Sequence, residues 1–123
     1  MSEILISINP QYVKEILSGK KRFEYRTKVA KKGVKKIIIY CTFPTMKVLA
    51  EADIEGILAL PPEKLWEETK KYSGISKKGF DDYFKGRGMA YAYRLGKVTE
   101  YEKGKPLSAF GCKAAPQSFV YIY

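Results

Sequence analysis

The stretch Ile37-Ile38-Ile39-Tyr40-Cys41-Thr42 decides the fold class. An unbroken β-branched and aromatic run of this length reads as a strand buried on both faces, hence the middle of a sheet. Phe43-Pro44-Thr45 supplies a turn, and Lys47 to Leu60 alternates as one long or bulged strand. It carries Ala50, Ala52, Ile54 and Gly56 on one side and Glu51, Asp53 and Glu55 on the other. Upstream, Ile4-Leu5-Ile6-Ser7-Ile8 is a short strand, and Asn9 and Pro10 suit the N-cap and first position of a helix that stops at Gly19. Lys21 to Arg26 returns to period two, with Lys21, Phe23 and Tyr25 on one face and Arg22, Glu24 and Arg26 on the other.

Downstream, Pro61-Pro62-Glu63 opens a helix through about Tyr72, in which Leu65, Trp66, Thr69 and Tyr72 form a packing stripe. Ser76 caps a second helix whose Phe80, Tyr83 and Phe84 make a compact apolar face, while Asp81 and Asp82 read as solvated surface. Met89 to Tyr101 is a long strand bent at Gly96, a turn falls at Gly104-Lys105-Pro106, and Pro116 to Tyr123 alternates as a last strand. Strands and helices do not alternate regularly, which argues against a doubly wound parallel sheet. The expected architecture is α+β: a single domain over residues 1–123, built as a small mixed β-barrel of about five or six strands with peripheral helices.

Composition narrows the chemistry. The 123 residues hold 23 Lys+Arg, 13 Asp+Glu and no histidine, for a net charge of +10. Without histidine there is no Ser-His-Asp triad, Cys-His dyad or HExxH zinc site. Cys41 and Cys112 are too few for a thiolate metal cage and are expected to be reduced. Neither a metal nor a cofactor is expected, and no phosphate-binding glycine loop occurs. The acidic start and the lack of a long apolar run argue against a leader or a membrane span, and so for a cytoplasmic protein.

The charge is local. Lys14 to Lys36 holds ten bases and two acids, and the remaining hundred residues are nearly balanced. Such a patch attracts polyanions, chiefly nucleic acid. Lys20, Lys21, Arg22, Glu24, Arg26, Lys28, Lys31 and Lys32 are the candidate nucleic-acid-binding residues. If chemistry occurs, Lys21 and Glu24 are the catalytic candidates. A structural Glu24–Arg26 pair, in register on one face, is the simpler alternative for the same residues.

Ile6-Ser7-Ile8-Asn9-Pro10, Ile16-Leu17-Ser18-Gly19-Lys20-Lys21 and Glu24-Tyr25-Arg26 resemble the amino-terminal signature of ASCH domains, with its G-x-K-x-x-E-x-R element. Leu65-Trp66, Ser73-Gly74-Ile75-Ser76, Tyr83-Phe84-Lys85-Gly86 and Pro116-Gln117-Ser118-Phe119 continue the resemblance, which is close to a bacterial, archaeal and phage branch described as predicted transcriptional regulators. It implies a PUA-like barrel that binds RNA or modified nucleotides, with Gly19, Lys21, Glu24 and Arg26 lining the cleft. Some small ASCH proteins hydrolyse N4-acetylcytidine with a Lys, a Thr and a Glu, and others are ribonucleases. Lys21 matches that lysine, Glu24 stands where those enzymes carry the threonine, and their glutamate has no match here. The resemblance therefore implies a module for RNA or single-stranded nucleic acid, with a small metal-independent hydrolase as the alternative.

Overall fold

The computed structural model describes residues 3–31 and 33–122. The element order is β1 (Glu3–Ile8), α1 (Pro10–Leu17), β2 (Phe23–Arg26), β3 (Lys36–Cys41), β4 (Lys47–Leu60), α2 (Pro62–Thr69), α3 (Lys77–Tyr83), β5 (Ala90–Lys105) and β6 (Phe119–Ile122). Single 3₁₀ turns follow α2, at Lys70–Tyr72, and β5, at Leu107–Phe110.

The six strands form one sheet in the order β2-β5-β4-β3-β1-β6. β1 and β3 run parallel, from Glu3 opposite Lys36 to Ile8 opposite Cys41, and the other pairings are antiparallel. β3 is the apolar run of the sequence, and Ile37 through Cys41 are buried whichever face they point to. β4 and β5 slip register between Val48 and Ala50 and on both sides of Ile54. Extra residues of this kind bend a strand and increase its twist, so the sheet curls into a half-barrel with three helices around it. The curl brings edge strand β2 back towards β1, where Arg26 Nη2 donates to the Ser7 carbonyl over 2.7 Å.

Three apolar clusters hold the sheet. The largest packs α1, through Val13 and Ile16, against Ile4, Ile6, Ile8, Ile37, Ile39 and Tyr93. A second joins Phe23 and Tyr25 of β2 to Leu65, Phe80 and Phe84 of the helices, with Trp66 against Phe80 at 5.1 Å. Trp66 is thus a packing residue, as its stripe implied. The third covers the other face of β1 and β3 with Phe110, Cys112 and Ile122.

Several boundaries differ from the sequence reading. β5 runs on through Lys105, because its pairing with β4 extends to Val48 opposite Lys105 and overrides the local turn signal. The last strand is Phe119–Ile122, Pro116 to Ser118 form no ladder, and Tyr123 of the expected strand lies outside the described residues. Asn9 holds the N-cap position, yet its side chain does not cap the helix. Ser76 does cap α3, accepting from the Gly79 amide at 3.0 Å. Tyr83 departs from the buried face of Phe80 and Phe84 and is 44% exposed. No helix among the described residues is long and apolar enough to cross a membrane.

Candidate functional site

A cleft of about 650 Å³ opens in the gap between edge strand β2 and the end of β1. Ligand sites commonly span about 300–1,000 Å³. Ser7, Ile8 and Asn9 enter from β1, Tyr12 from α1, Thr42 from the end of β3, and Tyr83 and Asp82 from α3. Ala115, Pro116 and Gln117 close the remaining side. Lys21, Glu24, Tyr25 and Arg26 line the same space. Alternation would send Lys21 and Glu24 to opposite faces, but β2 is a sheet edge and begins only at Phe23, so residues of both faces reach its unpaired side.

Lys21 is only 3% exposed. Its Nζ donates to the Ser73 carbonyl over 2.7 Å and lies 4.6 Å from the Tyr25 ring centre and 5.3 Å from that of Tyr12. Two aromatic faces and one carbonyl replace its hydration shell. Burial pushes the amine down from 10.5 to about 8, against the opposing pull of the Glu24 carboxylate. Its stem packs so closely on Gly74 that a Cβ there would fall 2.3 Å from the Lys21 Cβ, and Gly74 has φ +63°. The α2–α3 connection thus clamps the lysine.

Glu24 is 6% exposed. Its Oε2 receives Arg26 Nε and Nη2, each at 2.9 Å, so the in-register pair does form. Oε1 has no partner among the described residues, which leaves one carboxylate oxygen for a ligand in a cleft that Glu24 itself lines. Tyr25 supports the floor: its hydroxyl donates to Thr69 Oγ1 over 2.7 Å, and burial pushes that hydroxyl up to about 12. Asn9 Oδ1 accepts from Thr42 Oγ1 over 3.3 Å. Its amide Nδ2 makes no hydrogen bond among the described residues.

The structure therefore brings Lys21, Glu24 and Arg26 together and leaves Lys20, Arg22, Lys28 and Lys31 outside. Arg22 is exposed, stacked 4.2 Å over Tyr72, and lines a neighbouring depression of about 420 Å³ that shares Lys21 as a wall. Lys20, Lys28 and Lys31 are exposed and do not line the main cleft. Lys32 lies outside the described residues. Sequence reasoning missed Ser7, Tyr12, Thr42, Tyr83 and Gln117, which are brought in by tertiary structure from five segments. Asn9 carried a readable signal as the residue joining a strand to a helix, but that signal indicated a cap. Asp82, read as solvated, pairs with Lys78 at 2.8 Å and also lines the rim. Cys41 and Cys112 are both free, and no cluster suited to a metal ion occurs among the described residues.

Known proteins share this arrangement of chain. A crystal structure of a variant of the ASCH protein of Zymomonas mobilis superposes with a TM-score of 0.91 at 26% identity, covering 100% of this chain and 91% of that one. The chain is 33% identical over 94 residues to an ASCH domain-containing ribonuclease of Zymomonas mobilis, covering 76% of this chain and 64% of that protein. It is 31% identical over 121 residues to the large ribosomal subunit protein uL22 of Ureaplasma parvum, covering 97% of this chain and 39% of that protein. The chain thus spans about two fifths of the one relative and just under two thirds of the other. The ASCH domain model matches residues 6–115, and with it the fold and the relatives agree: the chain belongs to the ASCH domain family.

Proposed function

We propose that this domain binds single-stranded RNA and takes one unstacked nucleotide into the cleft. The observation that carries the reading is the convergence of Lys21, Glu24 and Arg26 with Tyr12, Tyr25 and Tyr83 in one volume of about 650 Å³. The cleft is charge-balanced, with two cations facing the carboxylates of Glu24 and Asp82. A groove that only tracks phosphates is lined by cations; a balanced one with aromatic walls suits a base, whose edge offers donors as well as acceptors. Glu24 Oε1 accepts from an amino or imino group, Asn9 Nδ2 donates to a ring acceptor, and a tyrosine ring provides stacking. The exposed Lys20, Arg22, Lys28 and Lys31 meet the backbone phosphates outside. The relative named a ribonuclease supports RNA as the ligand.

Fluorescence anisotropy with labelled single-stranded RNA tests the site. Lys21→Ala combined with Arg26→Ala is expected to weaken binding at least tenfold, with affinity of the unsubstituted domain falling steeply as salt rises. Unchanged affinity in a folded double variant would remove the cleft from the binding surface.

A second reading, hydrolysis of RNA or of a modified cytidine, is favoured by one specific observation. Lys21 is a desolvated amine pushed down to about 8 beside a carboxylate. Such a group is about a tenth neutral at pH 7, enough to move a proton in partnership with Glu24. Turnover of N4-acetylcytidine or RNA that disappears in Glu24→Gln supports this reading. A folded protein that turns over neither substrate retires it.

A further inference from the structure

Among the described residues, the most exposed large apolar side chains are Phe43, at 78%, and Met46, at 56%. Both sit on the β3–β4 turn, and nothing in the apolar clusters covers them. The turn is not a loose tip. Thr45 N and Met46 N donate to the Thr42 carbonyl at 3.1 and 3.4 Å, and Met46 holds φ +53°, a conformation that an unbranched residue adopts only where its surroundings impose it. Thr42 is in turn fixed to the cleft wall, through its amide to the Ile8 carbonyl at 3.1 Å and its hydroxyl to Asn9. Thr42 lines the cleft, and Phe43 is the next residue, about 3.8 Å along the chain. An aromatic ring is therefore presented to solvent by a hydrogen-bonded turn that begins at a residue of the cleft lining.

We propose that Phe43, backed by Met46, is a stacking platform for the nucleotide adjacent to the one held in the cleft, so that the ligand is a single-stranded segment of at least two nucleotides rather than a free nucleoside. The inference rests on the RNA-binding reading above and adds the length requirement. A ring left in water at this degree of exposure is available to a base face, which stacks on aromatics without regard to base identity. Chain continuity with the cleft argues for this occupant, because Thr42 lines the cleft and Phe43 follows it directly, within reach of a nucleotide next to one held there. Lys47, also exposed at the end of the turn, adds a cation for a phosphate of that segment.

The test compares a nucleoside 5′-monophosphate with single-stranded RNA of two to eight nucleotides, by calorimetry and by the quenching of 2-aminopurine placed beside the recognised base. Phe43→Ala is expected to weaken the oligonucleotides roughly 5- to 100-fold and to leave the monophosphate unchanged. Phe43→Trp should retain affinity and quenching, and Phe43→Leu should lose both, which separates a π face from mere apolarity. The side chain is exposed, so all three variants should keep the native melting temperature. Oligonucleotide binding unaffected by Phe43→Ala overturns this inference alone. So does a dimer that Phe43→Ala dissolves while RNA binding persists. If the unsubstituted domain binds neither ligand, the RNA-binding reading falls with it. Monophosphate binding as tight as that of any oligonucleotide overturns the length requirement and leaves the cleft reading intact.

Discussion

Replacing Lys21 by methionine keeps most of its stem and removes its charge. Burial holds the Lys21 amine at about 8 against an ordinary 10.5. Between those two values the unfolded chain still carries a proton that the folded protein has released, so stability rises with pH across this window. Below pH 8 the penalty is fully present, and above 10.5 it is gone. At about 1.4 kcal/mol per pH unit, it amounts to about 3 kcal/mol at pH 7, about 2 at pH 9 and about 1 at pH 10. The native protein should therefore gain about 2–3 kcal/mol on Lys21→Met between pH 7 and pH 10. Losing the bond to the Ser73 carbonyl and the contacts with Tyr12 and Tyr25 adds a nearly pH-independent offset of the opposite sign, so the slope is the signature. Tyr25, ordinarily 10 and pushed up to about 12 by burial, is present in both proteins, so its own contribution near pH 10 cancels in the comparison. Urea unfolding followed by circular dichroism at pH 7, 8, 9 and 10 measures the difference for the two proteins side by side. Stability curves that stay parallel over that range would show that Lys21 is not desolvated, and with it would go the case for a tuned amine in the cleft.

Two further substitutions probe the clamp and the floor. Gly74→Ala forces a left-handed backbone onto a residue with a Cβ, at about 1–2 kcal/mol, and drives that Cβ into the Lys21 stem, for about 1–3 kcal/mol more. A melting curve should show the combined loss, and RNA binding should weaken although position 74 does not line the main cleft; a silent Gly74→Ala would mean that the connection yields freely. Tyr25→Phe removes the hydroxyl donated to Thr69, whose own hydroxyl still reaches the Leu65 carbonyl at 2.7 Å. The expected cost is about 1 kcal/mol by denaturant unfolding, with binding preserved because the ring remains; a loss of binding equal to that of Lys21→Ala would assign the hydroxyl to the ligand.

How far the sequence revealed this molecule depended on whether a signal was local. The β3 run and the Ser76 cap could be read because each states its own environment, in the apolar run of one and the capping serine of the other. Lys21, Glu24 and Arg26 were legible because they fall within six residues and the family element marks them. Period two failed for Lys21, since alternation governs a residue only inside a strand and Lys21 stands just before one. Tyr83 was assigned to the core by its spacing with Phe80 and Phe84, yet those two, four residues apart, turn to Tyr25 of β2, while Tyr83 packs edge-on against Phe84 and opens to the cleft. Pro116 and Gln117 carried strand-like spacing, but what places them is a hydrogen bond from Ser7 Oγ to the Pro116 carbonyl across 109 positions, which no local window contains.

That same bond bears on how the domain is made. β6 pairs with β1 from Glu3 opposite Ile122 to Ile6 opposite Phe119, and residues 115–117 furnish one side of the cleft. During synthesis, Lys21, Glu24 and Arg26 leave the ribosome long before the segment that will face them. A nascent chain halted near residue 110 has its charged trio and its tyrosines but only an open trough to put them in. On the RNA-binding reading, ligand capture then waits on the arrival of the last wall, and a truncation that spares Lys21, Glu24 and Arg26 but removes residues 115–117 is expected to lose it.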